Sequence, residues 1–349
     1  MKKWIALVLA ALMLVAALSA CAAKKAEAPA ETTSEQTAES PKTVSEETYY
    51  YICPLASLEY WQAHRNGLED ACKELGVTPK FVGNDKLDCD AMVAIIETAI
   101  NDPNCAGIIT ACHFPDAYEP LVKKAKEKGI PVCFQTIKPL ENSERLCFLG
   151  TDYVEFGRIM MRQATKATGE TGGVIISNNL SAGTPSVASV MQGLREEVEN
   201  FPNMYIAAEV DDTSDAAVAA TKVGAALLAN PDVTAVIGGQ SVSAIGAVTA
   251  LKEAGKAGDV KVISIDRDVA TLEYIKNGDI YATVAGKQYS EVYYAVKICY
   301  DYNHGAKNAY SSDDAAAGMV IAPDTVNCGV LIIDQENVDK FMGFSYVDR

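Results

Sequence analysis

The segment YYYICPLASLEYWQAHRNGLEDACKELG, residues 49–76, decides how the chain is read. Residues 49–55 are apolar and β-prone without strict alternation, the pattern of a strand covered on both faces. Trp61, His64, Leu68, Ala71, Cys72 and Leu75 then recur at helical spacing. Gly76 suits the left-handed position just past a helix end. A buried strand leading into an amphipathic helix opens a βα unit, and in open parallel sheets ligands bind outside the carboxyl ends of the strands. Tyr60 and Trp61 stand at that junction, where they can stack on a ligand or pack onto a neighbouring lobe. The segment taken alone favours packing.

The same alternation runs on through the chain. Residues 80–82, 106–111 (AGIITA), 131–136 (PVCFQT) and 146–149 read as strands, with helices over 90–100 and 117–128 between them. A second series follows, with strands at 173–177, 205–210, 234–238, 260–265 and 280–285. Its helices cover 153–168, 187–198, 215–228, 243–254 and 269–276. Strands separated by helices imply right-handed βαβ units and parallel sheets. The expected class is α/β, with two doubly wound parallel-sheet lobes of one architecture and no obvious sequence identity between them.

The first 47 residues stand apart. Lys2 and Lys3 precede an apolar run over 4–18, which is short for a membrane span. Small residues follow, as at a secretory cleavage site. Leu18-Ser19-Ala20-Cys21 resembles the bacterial lipobox, which implies a signal peptide over 1–20 and lipid attachment at Cys21. Residues 22–47 are rich in Ala, Glu, Thr, Ser, Lys and Pro, and Val44 is their one large apolar residue. Such a segment cannot bury enough surface to fold and reads as a tether.

Charge and cysteine use narrow the function classes. The chain carries 30 basic and 46 acidic residues, a net of −16. Loss of Lys2 and Lys3 with the signal makes it more acidic still. That balance argues against nucleic acid and against broad adhesion to anionic lipid. Ten cysteines are present, with no C-x-x-C pair. Beyond Cys21 an odd number remains at irregular spacing, and Cys53, Cys112, Cys133 and Cys147 lie in or beside apolar strands, as buried free thiols do. This fits an anoxic habitat, and a pair such as Cys53 with Cys133 stays open. His64, His113 and His304 are too widely spaced for a metal-ligand pattern. No G-x-S-x-G, P-loop or G-x-G-x-x-G motif is present, so no enzyme activity and no cofactor is expected.

Over roughly residues 49–341 the chain resembles the type I periplasmic-binding-protein family, in its ribose and galactose transporter branch. The resemblance is carried by EYWQAHRNGLEDACKELG, GIITA, GIPVCFQT, LGTDYVEFG, GGQSVSAIGAVTALKEAG, VKVISIDRD and GDIYATVAGKQ, in that order. It implies two lobes joined by a three-segment hinge, with crossings near 150–152, 286–287 and 322–325. The first lobe would comprise 48–151 plus 287–322, and the second 152–286 plus 323–349. Ligand would lie between them, enclosed by hinge closure. Gene-regulator relatives of this fold carry an N-terminal helix-turn-helix where this chain has its leader and tether.

The resemblance also implies a ligand set. The first-loop aromatics fall on Tyr60 and Trp61, which would sandwich the apolar face of a sugar. The polar residue ending the third strand falls on Ala111, followed by Cys112 and His113. The Asp-Arg after the fourth strand falls near Gln135, Thr136 and Ile137. The second-lobe arginine falls near Ala188, with Thr184 and Pro185 opening that helix. Gln240 stands for an asparagine, Asp266 matches an aspartate, and Gln288 lies close to a glutamine whose place falls on Gly286. Asp152, at the first crossing, completes the set. Gln240 and Ser241 can instead cap a helix, as can Asp266. The expected pocket is less charged than that of a pentose or hexose binder.

The expected function is that of a lipid-anchored extracytoplasmic protein that captures a sugar or sugar-like molecule and delivers it to an ABC permease. It would be a monomer, held at the outer face of the bacterial cell membrane or in the periplasm. The alternative is a component that presents ligand to a chemoreceptor or signalling receptor, with a furanone signal or nucleoside among the candidate ligands.

Overall fold

The computed structural model describes residues 45–305 and 322–342, with the single residues 313, 316, 317 and 319. The expected signal segment 1–20, Cys21 and most of the tether lie outside the described residues. The fold begins with β1 (Thr48–Pro54), buried along its whole length. Tyr49, Tyr51 and Cys53 enter one core layer, and Tyr50 and Ile52 the other. Residues two apart on a strand share a face, so a strand covered on both sides needs apolar residues at every position. This explains the missing alternation. Helix α1 (Glu59–Leu75) lays Leu68, Ala71 and Cys72 against the Tyr49 and Tyr51 layer. It ends at Gly76, whose φ of 72° lets its N–H reach the Cys72 carbonyl.

The first lobe continues through β2 (Thr78–Asn84), α2 (Cys89–Asn101), β3 (Cys105–Ala111), α3 (Pro115–Glu127), β4 (Val132–Gln135) and β5 (Cys147–Gly150). The chain then passes to the second lobe at α4 (Tyr153–Thr168). There it forms β6 (Gly172–Asn178), α5 (Pro185–Val198), β7 (Met204–Asp211), α6 (Ala216–Ala229), β8 (Val233–Gly238), α7 (Ser241–Glu253), β9 (Lys261–Ile265), α8 (Val269–Lys276) and β10 (Ala282–Gly286). It returns at α9 (Gln288–His304), whose Val292, Ala295, Val296 and Cys299 share the core layer of Tyr49 and Tyr51. After β11 (Thr325–Asn327) it crosses again to β12 (Val330–Asp334) and the short α10 (Asp339–Met342).

Each lobe holds one six-stranded sheet. The orders are β11-β5-β4-β3-β1-β2 and β12-β10-β9-β8-β6-β7. The first sheet is parallel throughout; in the second, β12 alone is antiparallel. This corrects two expectations. Five strands were anticipated in the first lobe, and β11 adds a sixth beside β5. The third crossing therefore lies at Cys328 and Gly329, after β11, and not at 322–325. The direction of β12 has a simple cause. The chain enters the second sheet beside the carboxyl end of β10, with Val330 paired to Gly286, and can only run back along it.

Three crossings lie side by side. The Cys328 N–H donates to the Gly150 carbonyl at 2.9 Å, and the Thr151 hydroxyl donates to the Gly329 carbonyl at 3.5 Å. A Cβ built on Gly286 would sit 3.5 Å from Thr151 Oγ1. All nine described cysteines are free. The Cys53–Cys133 pairing is not formed; the thiol beside Cys133 is that of Cys299, at 3.5 Å. Burial pushes the Cys53, Cys72 and Cys112 thiols up to about 12, which keeps them protonated and unreactive.

Three helix pairs approach through glycine, α6 and α7 among them at Gly246. A Cβ on Gly67 would lie 2.3 Å from the Tyr289 carbonyl oxygen, which sets the distance between α1 and α9. A Cβ on Gly193 would lie 1.9 Å from the Val154 carbonyl oxygen, which does the same for α4 and α5. Backbone cannot yield there as a side chain can. Gly193→Ala is expected to lower unfolding stability by about 1–3 kcal/mol, the usual range for overpacking, measured by denaturant titration against the parent.

Candidate functional site

A cavity of about 640 Å³ opens where the carboxyl ends of the two sets of strands meet. That size suits a small-molecule site. Thr136 follows β4 and Asp266 follows β9, the third strand from the hinge edge of each sheet. Both are non-glycine residues with left-handed backbones, at φ 57° and 66°. Such a conformation costs on the order of 1 kcal/mol or more and persists only where neighbours hold it. They do so in the same way in both lobes. The Thr136 N–H donates to the Leu149 carbonyl at 3.1 Å, and the Asp266 N–H to the Val284 carbonyl at 3.0 Å. The Thr283 hydroxyl adds a bond of 2.6 Å to the Asp266 carbonyl. Each chain turn thus leaves its strand sharply and places a polar side chain in the cavity wall.

The first-lobe floor is a buried polar network. The Thr136 hydroxyl donates to Glu291 Oε2 at 2.6 Å and also lies against the side-chain oxygen of Gln135. His64 Nε2 stands 3.3 Å from the Thr136 hydroxyl and 3.7 Å from Glu291 Oε2. Gln135 Nε2 donates to the Tyr51 hydroxyl at 2.9 Å. The His64 ring is stacked on Tyr51 and flanked by Tyr60 and Trp61. Buried charge is tolerable only when hydrogen bonded in this way. Thr136, Gln288 and Glu291 carry the network to the cavity surface.

The second-lobe wall is polar as well. Asn178 ends β6, and its side chain covers Gly239, where a Cβ would fall 2.2 Å from Asn178 Cγ. Asn179 Nδ2 donates to Ser214 Oγ at 2.8 Å. Gln240 and Ser241 begin α7, and Tyr153 and Phe156 face the cavity from α4. Asp266 and Glu291 are the two charged residues that line this cavity, and both are acids.

The structure brings Tyr60, Thr136, Gln240, Asp266 and Gln288 together around the cavity. The other expected residues lie outside its wall. Trp61 is 5 % exposed and belongs to the core with Tyr51 and Leu68. Helix α1 starts at Glu59, so Tyr60 and Trp61 occupy its first turn and not a loop; a helical step of 100° sends adjacent side chains to different faces. Tyr60, 39 % exposed, therefore faces the cavity while Trp61 supports it edge-on at 4.8 Å. The aromatic partner across the cavity is Tyr153 with Phe156.

His113 packs against Trp61, with Nδ1 3.2 Å from the Ala111 carbonyl oxygen, and burial lowers its pKa. Gln135 is fully buried in the network below the floor. Asp152 caps α4, accepting from the Val154 and Glu155 N–H groups. Pro185 opens α5 between Thr184 and Ser186, which do line the cavity. Asp266 does not cap α8: that cap is Asp268, which accepts from the Thr271 N–H. Sequence reasoning missed Asn178 and Asn179, although the run VIISNN ends a strand where the strand-end rule points. It also missed Tyr153, Phe156 and Glu291, each in a helix that starts just after a crossing.

Electrostatics separate the donors from the acceptors. Burial, with Glu291, Asp266 and Tyr153 nearby, raises the Tyr60 pKa well above the usual phenol value, so it stays a hydroxyl donor. Burial, reinforced by Asp268 and opposed by Arg267, raises the Asp266 carboxyl to about 6. An acid whose folded-state pKa is raised opposes folding once ionised. The parent should therefore lose stability as pH rises from about 4 through about 6, and regain it on acidification through that window. In Asp266→Asn that component should vanish, read as a flatter dependence of Tm on pH than in the parent.

Among the described residues no group of three or more His, Cys, Asp or Glu is placed to hold a metal ion. No described helix is long and apolar enough to cross a membrane. The family described as periplasmic binding protein domain matches residues 49–307. A D-apiose import binding protein of Actinobacillus succinogenes is 24% identical over 70% of this chain and 78% of its own length. A D-ribose/D-allose-binding protein of Pseudomonas aeruginosa is 25% identical over 56% of this chain and 54% of its own. Among solved structures, the arabinose binding protein AraP of Geobacillus stearothermophilus superposes with a TM-score of 0.77 at 26% identity, covering 84% of this chain and 99% of AraP. With its two α/β lobes and a cavity where their strand ends meet, the chain belongs to the periplasmic-binding-protein family of type I, whose members bind solutes without catalysis.

Proposed function

We propose that this chain is an extracytoplasmic protein that captures a neutral, hydroxyl-rich sugar between its lobes and hands it to an ABC permease. The observation that carries this reading is the cavity wall itself. Hydroxyl and amide groups of Tyr60, Thr136, Asn178, Gln240 and Gln288 face one space together with the Asp266 carboxylate, and among the described residues no lysine or arginine lines it. Such groups pair with sugar hydroxyls as donors and acceptors. An anionic solute would meet two acids there and no countercharge. Relatives named for apiose, ribose, allose and arabinose support the same class. The Tyr60 ring offers an aromatic face to the C–H side of a sugar, a contact worth roughly 0.5–1.5 kcal/mol. Titration calorimetry against pentoses and hexoses should thus find binding in the parent, weakened about 3- to 10-fold in Tyr60→Ala. Unchanged affinity in that variant would overturn the placement of the sugar.

The proposal includes a lipid anchor at Cys21, supported by the Leu18-Ser19-Ala20-Cys21 match behind a charged and apolar leader. Acyl chains contribute roughly 0.8 kcal/mol for each buried CH₂, and two or more hold firmly. Cys21→Ala should move the protein from the membrane fraction to the soluble fraction of the expressing bacterium. A parent protein found only in the soluble fraction would refute the anchor. A second reading, presentation of ligand to a receptor, draws on XylFII, which was solved in complex with LytSN. That structure is 26% identical to this chain and superposes with a TM-score of 0.67.

A further inference from the structure

A second chamber of about 210 Å³ adjoins the main cavity. The two share Tyr60, Ser241, Asp266 and Gln288 as a common wall, and the side chamber adds Ala63, Arg267 and Asp268. Gln288 is the telling residue of that wall. Its side chain is 6 % exposed, and its Oε1 has no hydrogen-bond partner among the described residues. A buried acceptor of this kind calls for a donor, and Gln288 borders both chambers, so a donor at their junction can come from ligand on either side.

The chemistry of the side chamber selects its occupant. Asp268 is occupied by Thr271, accepting from its N–H at 3.0 Å and its hydroxyl at 2.8 Å. Asp266 and Arg267 bring opposite charges side by side and leave no excess of positive charge for an anion. A wholly apolar group would strip water from both of them with nothing in return. Ala63 and the Tyr60 ring supply apolar surface beside these polar groups. Apolar surface edged with hydrogen-bonding groups is the complement of a second sugar ring.

We propose that the side chamber is a second subsite and that the ligand is a two-ring glycoside. One neutral hydroxylated ring occupies the main cavity, the other occupies the side chamber, and the link between them passes along Gln288. This inference rests on the sugar-binding reading and names the size of the sugar within it.

The test is calorimetric titration of the full-length protein in detergent with matched pairs: xylose and xylobiose, glucose and cellobiose or maltose, galactose and lactose. At least one disaccharide should bind about tenfold or more tightly than its monosaccharide. Ala63→Met, which fills the side chamber, should abolish that preference and leave monosaccharide affinity unchanged. If Ala63→Met does not fold by circular dichroism, Ala63→Val makes the same comparison with a smaller addition at the same place in the chamber wall. Monosaccharide binding without a disaccharide preference, or a preference untouched by the filling variant, overturns the second subsite and leaves the sugar reading intact. Absence of binding to every sugar in the panel overturns both.

Discussion

The hydrogen bond from the Cys328 N–H to the Gly150 carbonyl joins two of the three crossings, and it expresses the constraint on which the molecule depends. Each passage between the lobes leaves the carboxyl end of a strand: β5 at Gly150, β10 at Gly286 and β11 at Asn327. The hinge therefore lies on the same side of both sheets as the loops that bear function in parallel folds. Hinge and binding wall cannot be separated in such a chain. Tyr153, Phe156, Gln288 and Glu291 all lie within a turn or two of a crossing and all line the cavity. A rotation at the crossings must reposition them.

Within that frame the site relies on strained corners held by ordinary sheet bonds. Thr136 and Asp266 adopt the same left-handed turn at equivalent places in two lobes that show no evident sequence identity. In the first lobe the turn feeds a closed network of Thr136, Glu291 and His64; in the second it exposes a carboxyl whose ionisation burial opposes. The corners share a geometry and differ in chemistry. One wall ties Thr136, Glu291 and His64 to one another, and the other presents a carboxyl to whatever enters.

The lobes were legible in the sequence because helix and strand periods differ so clearly in segments such as 49–76, and because Gly76 marks its helix end. The short, exposed β11 was not, since three residues beside a hinge carry no period to read. Cavity-lining positions were legible where the family resemblance fell on a single strand-end position, as at Thr136, Gln240 and Asp266. Trp61 lies in the core because it opens the apolar stripe that continues through Leu68, Ala71 and Cys72, a stripe already visible in the helical spacing. Glu291 was missed because a glutamate in a helix reads as surface, and only the fold brings it beneath Thr136 and beside His64. Pro185 lies one position from the wall residues Thr184 and Ser186, whereas His113 is held away from the cavity by its packing against Trp61.

The closing strand of each sheet has a bearing on biogenesis. The first lobe lacks part of its core until α9, residues 288–304, is available, and its sheet is completed by β11. The second lobe is completed by β12, near the end of the described chain. Neither lobe can reach its final packing while the chain is still emerging, since contacts of such long sequence separation form late. A polypeptide destined for the far side of a membrane gains from that arrangement, because it stays unfolded and threadable until β11 and β12 have been made.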